Sequence, residues 1–209
     1  MQRPTLKQVK RAVKENGYQW FERGNYNLNI VGIRNSSTRD KVTNKFDDWI
    51  TLSYKKRDKW VFKAFSATTD PGTHFTKNLI NSKGVAILVP GQYRSAYKIR
   101  LHAGKYEAIC QHKYVKVYRD KNRDMMFDML EENIDEGKYG INIHRATKHG
   151  TSNRIDKWSA GCQVIANTSD FFIMMAVAHE SARIWGNKFT YTLIESEDIR
   201  PSGLFSYFS

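Results

Sequence analysis

Proline is scarce in this chain, at four residues in 209, and cysteine is scarcer, at two. The first shortage excludes a collagenous or proline-rich protein, and the second excludes a small scaffold stapled by several disulfides. Parity alone leaves one bridge between Cys110 and Cys162 open, and two free thiols are the expectation. No run approaches 18 consecutive apolar residues, so no membrane span is predicted. The opening Met1-Gln2-Arg3-Pro4-Thr5-Leu6-Lys7 carries no apolar core, so no secretory signal is predicted. Metal-ligand spacing is missing as well. The His-Glu-x-x-His pattern is absent, His74, His112 and His179 stand apart, and neither a metal nor a zinc peptidase is expected.

Acidic residues are outnumbered, 21 Asp and Glu against 34 Lys and Arg, a net charge of +13. Such a surplus suits a polyanionic setting: nucleic acid, anionic lipid headgroups, or a cell wall rich in carboxylates and phosphates. The cations are scattered, as in Lys55-Lys56-Arg57 and Lys121-Asn122-Arg123, and no zinc-finger or RNA-recognition signature accompanies them. A nucleic-acid partner is therefore not expected. With 40% hydrophobic and 13% aromatic residues the chain has the apolar material for a core. A chain of this length buries roughly 70% of the surface it exposes unfolded.

The N-terminus reads as a helix: Pro4 suits a first turn, Leu6, Val9 and Val13 share a face, and Asn16-Gly17 supplies a stop. Residues 1–24 are taken as an N-terminal helix and extension, and 25–209 as the main domain. From Trp49 onward a two-residue period dominates, in Ile50-Leu52-Tyr54, Val61 to Phe65, Tyr97-Ile99-Leu101 and Tyr114 to Tyr118. Val85 to Val89 is a buried strand closed by Pro90-Gly91, and Phe189 to Ile194 a last strand. Two helices are predicted, one from Asp124 to Glu132 and a longer one from Ser169 to Trp185, stopped by Gly186. The fold class expected is mainly β (α+β), a β-sandwich catalytic domain with a few flanking helices.

Chemistry concentrates in Gly140-Ile141-Asn142-Ile143-His144-Arg145 and Trp158-Ser159-Ala160-Gly161-Cys162-Gln163-Val164. Period two sets His144 opposite Ile141 and Ile143 at the end of a short strand. Gly161 permits an unusual backbone angle and close approach of a substrate to Cys162. A histidine within reach would hold the cysteine as thiolate, the competent nucleophile, while backbone N–H groups at Gly161 and Cys162 face the oxygen of an attacked carbonyl. Ser159 is placed beside the active turn. His149, in His149-Gly150-Thr151, is the rival base. Arg145, Tyr93, Arg94 and His102 are candidates for substrate binding, Arg145 through a bidentate carboxylate contact. Cys110 reads as a small core residue.

Those two segments resemble the YkuD-type L,D-transpeptidase catalytic domain, in which a histidine, a loop and a Ser/Thr-x-Gly-Cys motif follow in order. Closer still is a subgroup of phages and bacteria with Ile-Asn-Ile-His-Arg before Trp-Ser-Ala-Gly-Cys-Gln-Val. Gly91 to Lys98, Tyr118-Arg119-Asp120 and Gly186 to Tyr191 also match that subgroup, so the resemblance spans about residues 60–194. It maps the family's histidine onto His144 and its nucleophile onto Cys162. Ala160 and Val164 depart from the commonest motif, which has His and Arg there. The resemblance implies a metal-free and cofactor-free enzyme acting on peptidoglycan stem peptides through a thioester acyl-enzyme. An amine acceptor would give transpeptidation, and water would give hydrolysis, as in a phage-type cell-wall hydrolase. The rival reading is a non-catalytic wall-binding or virion-associated module. Either acts at the anionic wall after release from the cytoplasm, or within a particle.

Overall fold

The structure, a computed structural model, describes residues 1–200. Thr5 opens helix α1 (Leu6–Glu15) through a capping box: the Gln8 N–H donates to Thr5 Oγ1, and the Thr5 N–H to Gln8 Oε1 at 2.9 Å. The strands are β1 (Asn29–Arg34), β2 (Asp48–Lys56), β3 (Lys59–Thr68), β4 (Val85–Leu88), β5 (Gly91–His102), β6 (Tyr106–Gln111), β7 (Val115–Asp120), β8 (Ile134–Gly137), β9 (Ile143–Arg145), β10 (Gln163–Ile165) and β11 (Phe189–Glu195). Between them lie a short helix α2 (Thr73–Lys77) and the long α3 (Thr168–Trp185). The Asn167 side chain caps α3, accepting from the Ser169 and Asp170 N–H groups, and Gly186 ends it at φ +82°.

The expected sandwich does not form. Eight strands close into a barrel in the order β1-β11-β5-β6-β9-β10-β3-β2, and β4-β7-β8 make a separate three-stranded sheet. Closure follows because β1 pairs with β11 in parallel on one side and with β2 in antiparallel on the other, leaving neither chain-terminal strand an open edge. Ile30, Leu52, Phe65, Tyr97, Ile109, Ile143, Ile165 and Leu193 share one core. Tyr191 crosses it: its hydroxyl donates to Gln163 Oε1 at 2.7 Å, and a Cβ at Gly32 would overlap that hydroxyl. Helix α1 lies against the barrel. Val9, Ala12 and Val13 pack with Val31, Ile33 and Ile194 of β1 and β11.

The predicted helix from Asp124 to Glu132 is also absent, apart from a 3₁₀ turn at Glu131–Asn133. Side-chain oxygens take the local N–H groups instead: Asn122 Oδ1 accepts from Asp124 N, and Asp124 Oδ1 from Met126 N at 2.8 Å. Arg123 and Met125 adopt positive φ, which no helix tolerates. Phe127 is thereby turned under Val85 and Ile87.

A wholly buried cation ties the barrel to the small sheet. Arg34 contacts Asp70 at 2.9 Å and Glu195 at 3.7 Å, and donates through Nη2 to the Leu88 carbonyl at 2.9 Å. Asp48 completes this cluster, accepting from Thr69 N, Thr69 Oγ1 and Asn35 N. No helix among the described residues is long and apolar enough to cross a membrane.

Candidate active site

Strands β9 and β10 run parallel with Gln163 opposite Ile143 and Val164 opposite His144. The Gln163 N–H donates to the Asn142 carbonyl at 2.9 Å, which continues that register one residue back. Alternation then sends Asn142, His144 and Cys162 to one face, while Ile143 and Gln163 point to the other. Antiparallel pairing of β6 with β9 and of β5 with β6 adds Cys110, Tyr106 and His102 to the same face.

Cys162 follows a turn built around Ser159 and Gly161. Buried Ser159 donates its hydroxyl to the Cys162 carbonyl at 2.8 Å and accepts the Gly161 N–H at 3.1 Å. Gly161 sits at φ +127°, and a Cβ there would overlap the Ala86 carbonyl oxygen, so only glycine lets β4 approach this closely. The Gly161 N–H is thus occupied and does not serve as the oxyanion donor expected from the sequence. Of the two, the Cys162 N–H has no partner among the described residues.

The half-buried thiol donates to the Gly140 carbonyl at 3.2 Å. Burial pushes its pKa up to about 11, opposed by the Asn142 backbone N–H directed at the sulfur. His144 is buried, and its Nδ1 lies 2.8 Å from the Arg145 carbonyl. A carbonyl only accepts, so Nδ1 carries the proton and Nε2 is left as a free lone pair. Burial first, then His102, moves the His144 pKa down to about 3. Both shifts favour the neutral forms, thiol and imidazole. In this arrangement Nε2 is left able to accept a proton.

His102 stacks on His144, with ring centroids 4.2 Å apart. Its Nδ1 is 3.0 Å from Asn142 Nδ2, and Asn142 Oδ1 accepts the Gln111 N–H at 2.8 Å. That second bond fixes the amide orientation, so Asn142 donates to His102, whose own proton resides on Nε2. Of the remaining sequence candidates, Tyr93, Arg94 and His149 lie elsewhere, and Arg145 stays beside His144. Tyr93 donates to the Val89 carbonyl at 2.6 Å, and burial raises its pKa. Arg94 is exposed near the Phe21 ring. His149 is exposed on the loop after β9, where its backbone engages the Thr147 hydroxyl. Arg145 donates to the Thr147 carbonyl at 2.8 Å and lies over the Tyr106 ring at 4.1 Å.

A cleft of about 440 Å³ opens beside the thiol, walled by Ala86, Arg119, Lys138, Tyr139, Ala160 and Cys162. Arg119 and Lys138 escaped the sequence reading as site residues, and so did Asn142 and Tyr106. Period two could have found Asn142, two residues before His144 on the same strand face. Arg119 comes from β7 of the other sheet, and the Tyr118-Arg119-Asp120 match did not mark it as a site residue. No family model, curated protein or solved structure matches the chain.

Proposed function

We propose that the protein is a cysteine-dependent acyltransferase or peptidase acting on peptidoglycan stem peptides, distantly related to the YkuD-type L,D-transpeptidases. One observation carries this reading: a half-exposed Cys162 thiol opens on a cleft while His144, on the same face of the neighbouring strand, holds Nε2 unprotonated. Cys162 Sγ attacks a peptide carbonyl as its proton passes to His144 Nε2, and the Cys162 N–H faces the developing oxyanion. Collapse expels the amine, which takes that proton back, and leaves a thioester. An amine acceptor or water then releases the acyl group. The net charge of +13 suits residence at an anionic wall, and the contact should weaken with salt.

A second reading draws on the thiol pushed up to about 11: the domain binds the wall without turning it over. Digestion of purified sacculi separates the two. Wild type is expected to release or join muropeptides, visible by mass, and Cys162→Ala to lose this activity while still sedimenting with sacculi. Full activity in Cys162→Ala would overturn the mechanism, and sedimentation without products from wild type would favour the binding module.

A further inference from the structure

The cleft beside Cys162 has a one-sided charge. Its ionised walls are Arg119 and Lys138, and no Asp or Glu lines it. Arg119 is held rigidly: Nε contacts Asp135 at 3.4 Å, Nη1 donates to the Gly84 carbonyl at 3.3 Å, and the guanidinium lies 4.3 Å from the Tyr139 ring centroid. The Tyr139 hydroxyl also engages the guanidinium, and Nη2 has no carboxylate or backbone carbonyl partner among the described residues. Asp135 is shared with Lys83 at 3.2 Å and lines the adjoining cavity rather than this one, so a single carboxylate answers two cations. Lys138 is exposed at the rim. On the nucleophile's side the wall is Ala160, a methyl group that offers no charge.

We propose that this cleft is a carboxylate subsite, in which Arg119 and Lys138 hold a carboxylate of a peptide substrate beside the carbonyl that Cys162 attacks. A guanidinium fixed on three sides with a donor left over has lost its side-chain entropy before the ligand arrives, so the new charge-assisted hydrogen bond is made at little further cost. The assignment of the substrate as a stem peptide rests on the function proposed above; the cationic subsite does not. In such a peptide the carboxylate is either the terminal one of the departing residue or the side one of the diamino acid.

Alkylation of Cys162 in the full chain tests the subsite without requiring any enzymatic activity. Iodoacetate and iodoacetamide react alike, the sulfur displacing iodide from a CH₂ group, but the first brings a carboxylate and the second a neutral amide. Wild type is expected to favour iodoacetate, relative to a small free thiol, by about tenfold. Lys138→Gln, whose site is exposed, and Arg119→Gln should each reduce that preference, and Arg119→Lys should retain most of it. An unchanged ratio in both glutamine variants overturns the subsite. Muropeptides amidated at the terminal or the side carboxylate supply the second arm: the amidation that slows wild type by about tenfold or more, but slows Arg119→Gln little, names the source. Equal turnover of both amidated forms and the parent overturns carboxylate recognition. A retained iodoacetate preference with no turnover of any muropeptide would instead refute the peptidoglycan reading and leave the anion subsite standing.

Discussion

The imidazoles of His102 and His144 lie stacked, with centroids 4.2 Å apart and 21° between their planes. Asn142 links His102 to Cys162. Its side chain donates to His102, its backbone carbonyl receives the Gln163 N–H, and its own N–H is directed at the Cys162 sulfur. One residue therefore couples the orientation of the second imidazole to the strand that carries the thiol. Tyr106 closes the group from the side, its hydroxyl 3.4 Å from both His144 Nδ1 and the Arg145 carbonyl.

Removing the stacked ring should make His144 easier to protonate. His102→Ala admits water to that face and deletes a neighbour that disfavours the imidazolium, so the His144 pKa is expected to rise from about 3 towards 6.5. A general base works in its neutral form, and the acid limb of the activity profile should move to higher pH with it. His102→Phe, which keeps a ring in place, should stay near wild type. Nitrogen NMR of His144 across pH reads the shift directly, and an identical titration in wild type and His102→Ala would exclude the coupling.

Ser159→Ala should loosen the turn that leads into Cys162. It deletes both hydrogen bonds of a fully buried hydroxyl, stranding the Gly161 N–H and the Cys162 carbonyl. The expected loss of stability is about 1–3 kcal/mol, read from urea unfolding. Turnover should fall further than folding alone accounts for, because the Cys162 N–H is aimed by the same turn. Wild-type stability in Ser159→Ala would refute the arrangement.

The buried cluster around Arg34 predicts a pH dependence of folding. Burial raises Asp48 to about 7 and Asp70 to about 6, each from an ordinary value of 3.8. An acid whose folded pKa is raised binds more protons folded than unfolded, so the stability it contributes is present at low pH and lost as pH rises. The window runs from about pH 4 to about pH 7. Unfolding midpoints in urea should decline across that interval, and Asp48→Asn should flatten the decline even if it lowers stability overall. A slope unaltered by Asp48→Asn would show that this carboxyl does not titrate there.

Much of the local structure can be read from residue order. The Leu6-Val9-Val13 stripe and Asn16-Gly17 mark α1, Gly186 marks the end of α3, and two-residue alternation marks β2, β3 and β11. His144 and Cys162 stand out as a pair because a strand end and a glycine turn are local features. The failures are instructive for the same reason. Asp124 to Glu132 has helical apolar content, yet Asn122 and Asp124 bind their own backbone, a competition that periodicity does not register. Strands β8 and β10 are too short for their alternation to speak.

By itself, then, the sequence determined a mainly β chain, its flanking helices, the cationic surplus and the pairing of a strand-end histidine with a glycine-turn cysteine as candidates, since each depends on composition or on spacing within a few residues. The tertiary structure decided the rest. Whether alternating strands close into a barrel or stack as a sandwich depends on β1 meeting β11, a pairing across some 160 residues for which alternation carries no information. The cleft exists because Gly161 admits the Ala86 carbonyl and so brings the small sheet, with Arg119, against the turn before Cys162. Burial, rather than residue type, also raises the Cys162 pKa and lowers that of His144.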